Sequence, residues 1–489
     1  MLKTSRQSLN FSLFAKIVLF AALGITYISI LFSPGRSDVG IIFTNFVIIF
    51  YSSYRIFFNK RYPYSIHQTF YIIALFFLGI APLIQYKEGI ESVPGYFITE
   101  STYLIVNILL IVIFILIDLI YFYKQKQQLT SVNKYKQETI ERKDTVLLQI
   151  MTLIFSSLSL IYILYINQDN LTGFFLRGGE YISRTEIENS SIRILINTII
   201  RPLPIFAFIY YYKIGSNRLC KVLLFFIALT TCFPSSMPRL MVGAYWIPVM
   251  ITIFKVFNKK NFFSYVFIGG LAVLFPAFEA FRNFDYFFKY NSISSSLSKL
   301  ILSIYSGMAY DSYQSFAFVF QNKFITYGQQ LLGVLAIFIP RTFWAEKPIG
   351  TGFTVARQYG LGYENISMHF FGEGYANFGI IGVFVFAAVL AIIMKYCDSK
   401  YWDFKNKEKT RLFPVIYLIF MGILAYIMRG DMMGSFTVTA GTAISASIIY
   451  TTVILCTKKI KHNTNNKTKK ILRLTLWRNY EKPNFSKCR

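Results

Sequence analysis

Charge is what this sequence has least of. Only 15% of its 489 residues are charged, 50 of them basic and 23 acidic. A soluble chain devotes about a quarter of its residues to charge in order to cover its surface, so a water-soluble globular protein of this length is excluded. Cysteine and histidine are scarce too, at five and three. Cys220, Cys232, Cys397, Cys456 and Cys488 fall in helices or in segments read as cytoplasmic, and no disulfide framework is expected. There is no CxxC, HExxH, Walker loop or GxSxG, and no external aspartate pair with transferase spacing. A nucleotide-sugar or ATP site is therefore not expected, no metal or other cofactor is called for, and the energy for any reaction must arrive with the substrate. No repeat of about 20 to 50 residues is present, and the helices on either side of the longest loop do not resemble each other.

What the chain has instead is apolar length, 55% hydrophobic and 18% aromatic. Runs of about 20 apolar residues match the hydrocarbon thickness as helices at 1.5 Å per residue. The expected spans are Phe11–Phe32, Val39–Phe58, Gln68–Tyr86, Ile98–Tyr123, Val146–Ile166, Ile192–Tyr212, Val222–Phe233, Leu240–Phe257, Phe262–Phe281, Glu373–Tyr396, Leu412–Met428 and Phe436–Cys456, about 12 crossings. The first is too long for a signal-peptide core and is not followed by a small-residue cleavage site, so it reads as a retained helix. The expected fold is an all-α polytopic integral membrane protein. Residues 1–281 carry nine spans with a loop at 167–191, residues 282–372 form a long external loop with short interfacial or re-entrant helices at Leu297–Phe320 and Leu331–Phe343, residues 373–457 carry three more spans, and 458–489 form a basic tail.

The net charge of +27 would suggest nucleic acid in a soluble domain, but here the basic residues sit in short clusters between apolar runs. With both termini cytoplasmic, 34 of the 50 fall in inside segments, as the positive-inside rule requires, and nucleic-acid binding is set aside. Those 34 are 25 Lys and 9 Arg, whereas the other 16 are 10 Arg and 6 Lys. Lysine suffices to set topology, but a planar guanidinium holds phosphate through two parallel hydrogen bonds. The external face reads as built for an anion. The tail, with an amphipathic piece at Ile471–Trp477, either lies against anionic membrane lipid or is simply solvated.

The stretch Pro340–Gly382, PRTFWAEKPIGTGFTVARQYGLGYENISMHFFGEGYANFGIIG, runs from a polar loop into an apolar helix. It places Arg341, Arg357, His369 and Glu373 where water meets the membrane. His369 and Glu373 are four residues apart, on one face if the helix starts early. Glu373 then either takes a proton from a sugar hydroxyl, with His369 as partner or as the base itself, or caps the helix. Arg177, beside Gly178–Gly179, and Arg184 lie in the first external loop, and Arg282 opens the second. Arg201 and Arg239 lie within or at the edge of apolar helices, where an arginine is expensive unless paired or in a wet cavity. Each is a ligand contact, or it snorkels or pairs internally. Arg429–Gly430–Asp431 reads as a tight turn with an internal Arg–Asp pair, or as a ligand contact by Arg429 with Asp431. Asp118, deep in the fourth span, is a proton-relay group or a satisfied hydrogen-bond partner.

The multi-span layout, the long late loop with Pro340–Arg341, the HFFGEGYANFGIIG start of the next helix and the RGD turn before the last one resemble the bacterial oligosaccharide repeat-unit polymerases, the Wzy-type O-antigen and capsule polymerases. The resemblance runs over about Arg177 to Asp431. It implies a GT-C-like membrane glycosyltransferase in the cytoplasmic (inner) membrane, using an undecaprenyl-diphosphate-linked oligosaccharide on the external face and working without a metal. By that match Arg177, Arg239 and Arg341 hold the diphosphate, His369 or Glu373 deprotonates the acceptor hydroxyl, and a chain-length regulator protein is a possible partner. Related O-antigen ligases carry a His–Asn pair at the corresponding loop end, whereas here His369 precedes Phe370, which leaves the base open. A lipopolysaccharide ligase and a lipid-linked oligosaccharide flippase are the alternatives. The second would more naturally show internal repeats and a midplane site.

Overall fold

The computed structural model describes residues 24–25, 27–58, 61–123, 145–167, 175, 191–259, 262–275, 305, 308–339, 342–405 and 412–480. Among these the chain is helical throughout, with no strand. Eight helices among the described residues are long and apolar enough to cross a membrane: Val39–Phe58, Ile66–Glu88, Glu100–Phe122, Val146–Ile166, Arg218–Ser236, Phe370–Trp402, Leu412–Arg429 and Met432–Cys456. Arg239–Ile253 and Phe262–Val273 are shorter apolar helices. The chain is a polytopic membrane protein.

Ile66–Glu88 is the axis of the fold, with its whole apolar window buried against protein and none facing lipid. Its start is fixed by polar groups: Ser65 Oγ accepts from Gln68 N at 3.0 Å, and the Asp398 carboxylate takes the amides of Ile66 and His67 at 2.9 and 3.3 Å. It ends at Gly89, whose φ of 66° suits a glycine C-cap. Midway, residues Leu75–Ile80 widen into a π-turn where Gly79 meets the neighbouring helix, and a Cβ there would lie 2.8 Å from Ile49 Cγ1.

The expected span Ile192–Tyr212 is two helices, Ser191–Ile200 and Leu203–Ile214. Pro202 and Pro204 have no amide to continue the ladder. At the break Ile205 N turns to the Pro202 carbonyl at 3.0 Å, and the Arg201 carbonyl accepts from Ser159 Oγ at 3.0 Å and from the Cys232 thiol at 3.3 Å. Leu203–Ile214 is the centre of a second apolar core formed with Arg218–Thr231, Arg239–Ile253 and the last helix. The two cores meet where Arg239–Ile253 crosses Leu412–Arg429 backbone to backbone. A Cβ on Gly243 would stand 2.6 Å from the Gly422 carbonyl oxygen.

The helical run Phe370–Lys405 is broken at Phe378 (φ −139°, ψ 20°) and Gly379 (φ 63°, ψ −151°). The rings of Phe370 and Phe386 lie 5.2 Å apart, whereas a straight helix would separate residues 16 apart by about 24 Å. The run is therefore a hairpin: a short helix, 370–377, leads out to the turn, and the crossing helix, 380–405, leads back. Gly374 and Gly382 face each other across it, and a Cβ on Gly374 would come 2.7 Å from the Gly382 carbonyl. Glu373, the expected start of this span, lies in the short first arm of the hairpin, which is called the re-entrant helix below, ahead of the longer helix. The carbonyls at the break are met by the loop that follows Gln321: Thr326 N donates to Ala376 O at 2.7 Å and Gly328 N to Asn377 O at 2.9 Å. Helix Ser312–Gln321, within the stretch read as an interfacial or re-entrant helix, is in the core, with Tyr313, Phe316, Ala317 and Val319 fully buried. Its aromatic and β-branched side chains fill the space between Glu100–Phe122 and the re-entrant helix.

Candidate functional site

The site at the re-entrant helix is assembled from four pieces of chain: 311–315, 350–352, 367–373 and 429–433. Two carboxylates face the first amides of two helices there. Asp431 precedes Met432 at the start of the last helix; its Oδ1 accepts from Met433 N at 2.9 Å and its Oδ2 from Gly352 N, in the helix Thr351–Gln358, at 3.0 Å. Glu373 Oε1 accepts from Met432 N at 2.9 Å and Oε2 from the Thr351 hydroxyl at 2.6 Å. Unpaired amides and the positive end of each helix dipole favour negative charge here. The approach is so close that glycine is required: a Cβ on Gly350 would lie 2.6 Å from Asp431 Oδ2. Burial pushes the Asp431 carboxyl above its ordinary range while its backbone amides pull the other way.

His369 is buried one turn before Glu373. Its Nδ1 accepts from Phe371 N at 3.1 Å, and its ring stacks at 6.1 Å on Phe316. Burial lowers its pKa to about 3, so the ring is neutral. With Nδ1 taken by an amide, the hydrogen-bond network assigns the proton to Nε2, which makes His369 a donor and leaves its ring no free lone pair.

Asp311 is buried beside them. It accepts from Ser367 Oγ, from Ser367 N at 3.3 Å, and from Arg429 Nη2 at 3.2 Å. The expected internal pair of the RGD turn therefore does not form; Arg429 reaches across to Asp311, and Asp431 caps. Arg239 is linked to the same place through aromatic rings: its guanidinium lies 4.6 Å from the Phe275 ring, and Phe275 lies 5.6 Å from Tyr310, the residue before Asp311. Arg201 donates to Thr231 O at 2.8 Å and to Ser236 Oγ at 2.7 Å, closing the end of helix Arg218–Thr231 just before Arg239. Arg357 stands apart, exposed and paired with Glu364 at 3.1 Å. Arg177, Arg184, Arg282 and Arg341 lie outside the described residues.

A second buried polar cluster sits at the opposite end of the bundle. Asp118 accepts from Tyr51 Oη, from Arg55 and, at 2.8 Å, from His67 Nε2. Asp398, fully buried, accepts from Tyr121 Oη at 2.9 Å and Tyr417 Oη at 2.7 Å besides the two helix amides. His67 joins the two, stacked on Tyr121 at 3.9 Å. Asp118 is thus a satisfied partner.

No protein-family model matches this chain, and neither does any curated protein or solved structure. Among the described residues no cluster of His, Cys, Asp or Glu has metal-binding geometry. Sequence reasoning missed Asp311, Thr351 and Ser367, and at the far end His67 and Asp398. Asp311 had a signal, as the only acidic residue between Asp285 and Glu346, just ahead of an apolar helix.

Proposed function

We propose that the chain is a membrane glycosyltransferase that joins undecaprenyl-diphosphate-linked oligosaccharide repeat units into a surface polysaccharide, as the polymerases it resembles do. The observation that carries this reading is the re-entrant helix. In this reading it sets an acidic group, Glu373, just below the outer end of a crossing helix, in a cluster with Asp431, Asp311 and Arg429. A substrate whose diphosphate is anchored in the membrane needs its reacting carbon met at about that depth.

In this reading an acceptor hydroxyl oxygen attacks the anomeric carbon of the donor. The bond from that carbon to the phosphate oxygen breaks, its electron pair leaves with the lipid diphosphate, and the hydroxyl proton passes to Glu373. Glu373 suits the role better than His369, whose Nδ1 already holds an amide. Arg239 and Arg429, with Arg177 and Arg341 of the two loops, neutralise the leaving diphosphate. The lysine-rich inside clusters support both termini being cytoplasmic, about 12 crossings in a GT-C-like arrangement and the reaction on the external side.

Deleting the gene tests the proposal on a gel of the cell's surface glycan. A single repeat unit on the lipid anchor is expected. Loss of all external glycan with lipid-linked units trapped inside would mark a flippase, and an unchanged glycan would end both readings.

A further inference from the structure

The loop between Gln321 and Gln329 combines features that the proposed chemistry does not use. Two of its non-glycine residues, Lys323 (φ 50°) and Tyr327 (φ 51°), hold left-handed backbone. For a lysine and a bulky aromatic that conformation is strained, and strained backbone at a surface groove is a recurrent mark of function. The fold explains the turns but not the side chains. The loop must double back so that Thr326 N and Gly328 N reach the carbonyls of Ala376 and Asn377 at the end of the re-entrant helix. Glycine would make those turns without strain, as Gly328 (φ 87°) does next door.

The side chains kept there line one shallow groove: Asn322, Lys323, Tyr327, Gln329, Gln358 and Tyr359. Tyr327 is 87% exposed, an aromatic ring uncovered by the rest of the chain. Tyr359 has one face fixed, its edge against Phe318 at 5.2 Å. Three planar amides, two phenol rings and an ammonium contribute to a lining without carboxylates. A pyranose ring has apolar C–H faces that lie on aromatic rings, and its neighbouring hydroxyls pair with the donor and acceptor of one amide.

We propose that this groove is an oligosaccharide-binding subsite that holds a glycan segment alongside the re-entrant helix. The choice of a sugar as ligand rests on the reading of the chain as a polymer-forming glycosyltransferase, whereas the groove and its strain stand on geometry. The amide bonds from 326 and 328 tie the floor of the groove to 376–377, one turn from Glu373.

The test uses the full-length protein in lipid nanodiscs and, as probe, the surface polysaccharide of the source cell, released from its lipid anchor by mild acid. Binding is read by fluorescence titration, and folding by thermal melting of the same sample. Tyr327→Gly should weaken binding about tenfold while melting stays level or rises, because the substitution relieves strain as it removes the ring. Gln358→Ala should weaken binding several-fold with melting unchanged. In cells carrying Tyr327→Gly, glycan chains should be shorter but not reduced to one unit. Wild-type protein that does not bind the polysaccharide, or variants that bind as wild type does, would overturn the groove, and the gene deletion would judge the polymerase reading separately.

Discussion

The two buried polar clusters use the same residue types to opposite ends. Around Asp118 and Asp398 each carboxylate meets phenols, and Asp118 also meets Arg55 and His67. Asp118 is matched by charge within the bundle, and the network ties five helices together. Around Glu373 and Asp431 the partners are backbone amides and one threonine hydroxyl. Neutral donors orient a carboxylate without cancelling it. The first arrangement is a clamp, and the second is the one the proposed reaction would draw on.

Substitutions at the two ends should therefore separate activity from stability, and the largest effect is expected at Glu373. Glutamine keeps an oxygen for Met432 N and an amide for Thr351 but cannot take a proton. Glu373→Gln should lower chain extension at least about 100-fold, the usual weight of a general base, with the protein still folded in detergent. At the clamp, Asp118→Ala leaves Arg55 uncompensated and should cost about 3–5 kcal/mol, seen as a lower melting temperature, while the surviving folded protein keeps its activity per molecule. If Asp118→Asn abolished chain growth in a protein that melts normally, the distinction between the ends would fall.

Arg429→Lys is a smaller change. A point charge still meets Asp311 but loses the guanidinium fork, so activity should drop about tenfold with melting nearly unchanged, as measured by repeat-unit incorporation in membranes. Stability should also depend on pH through His369. Its folded value, about 3, lies below the ordinary value of about 6.5. Between these two the unfolded chain binds a proton that the folded one does not, so stability is full above about pH 6.5 and declines as pH falls toward 3. Melting followed from pH 7 to 4 should show a slope that flattens in His369→Gln. Arg357→Ala, which removes only an exposed pair with Glu364, should change neither activity nor melting.

Much of the helical layout was legible because apolar length reports on membrane spans directly. Val39–Phe58 and Val146–Ile166 have the bounds that hydropathy alone suggests. The hairpin at Phe378–Gly379 was not, since hydropathy sees one long apolar run and has no term for a change in direction. His369 and Glu373 were singled out by their place at a polar-to-apolar boundary. Asp311 and Thr351 were not, because their links to this stretch span 56 and 22 residues of chain and form only through packing. The RGD turn illustrates the same limit: neighbours in sequence suggested a local pair, and tertiary contact gave each residue a different partner.

The re-entrant helix also bears on how the chain is made. At eight residues, 370–377 is about 12 Å long, well short of the roughly 30 Å hydrocarbon layer, and it carries a glutamate. A translocon reading segments by hydrophobicity would not release it into lipid on its own. It can settle only after the crossing helix behind it has been inserted and the loop at 326–328 is ready to meet its last carbonyls. The catalytic candidate is thus among the last parts of the protein to reach its place, and it is delivered by packing instead of by membrane insertion.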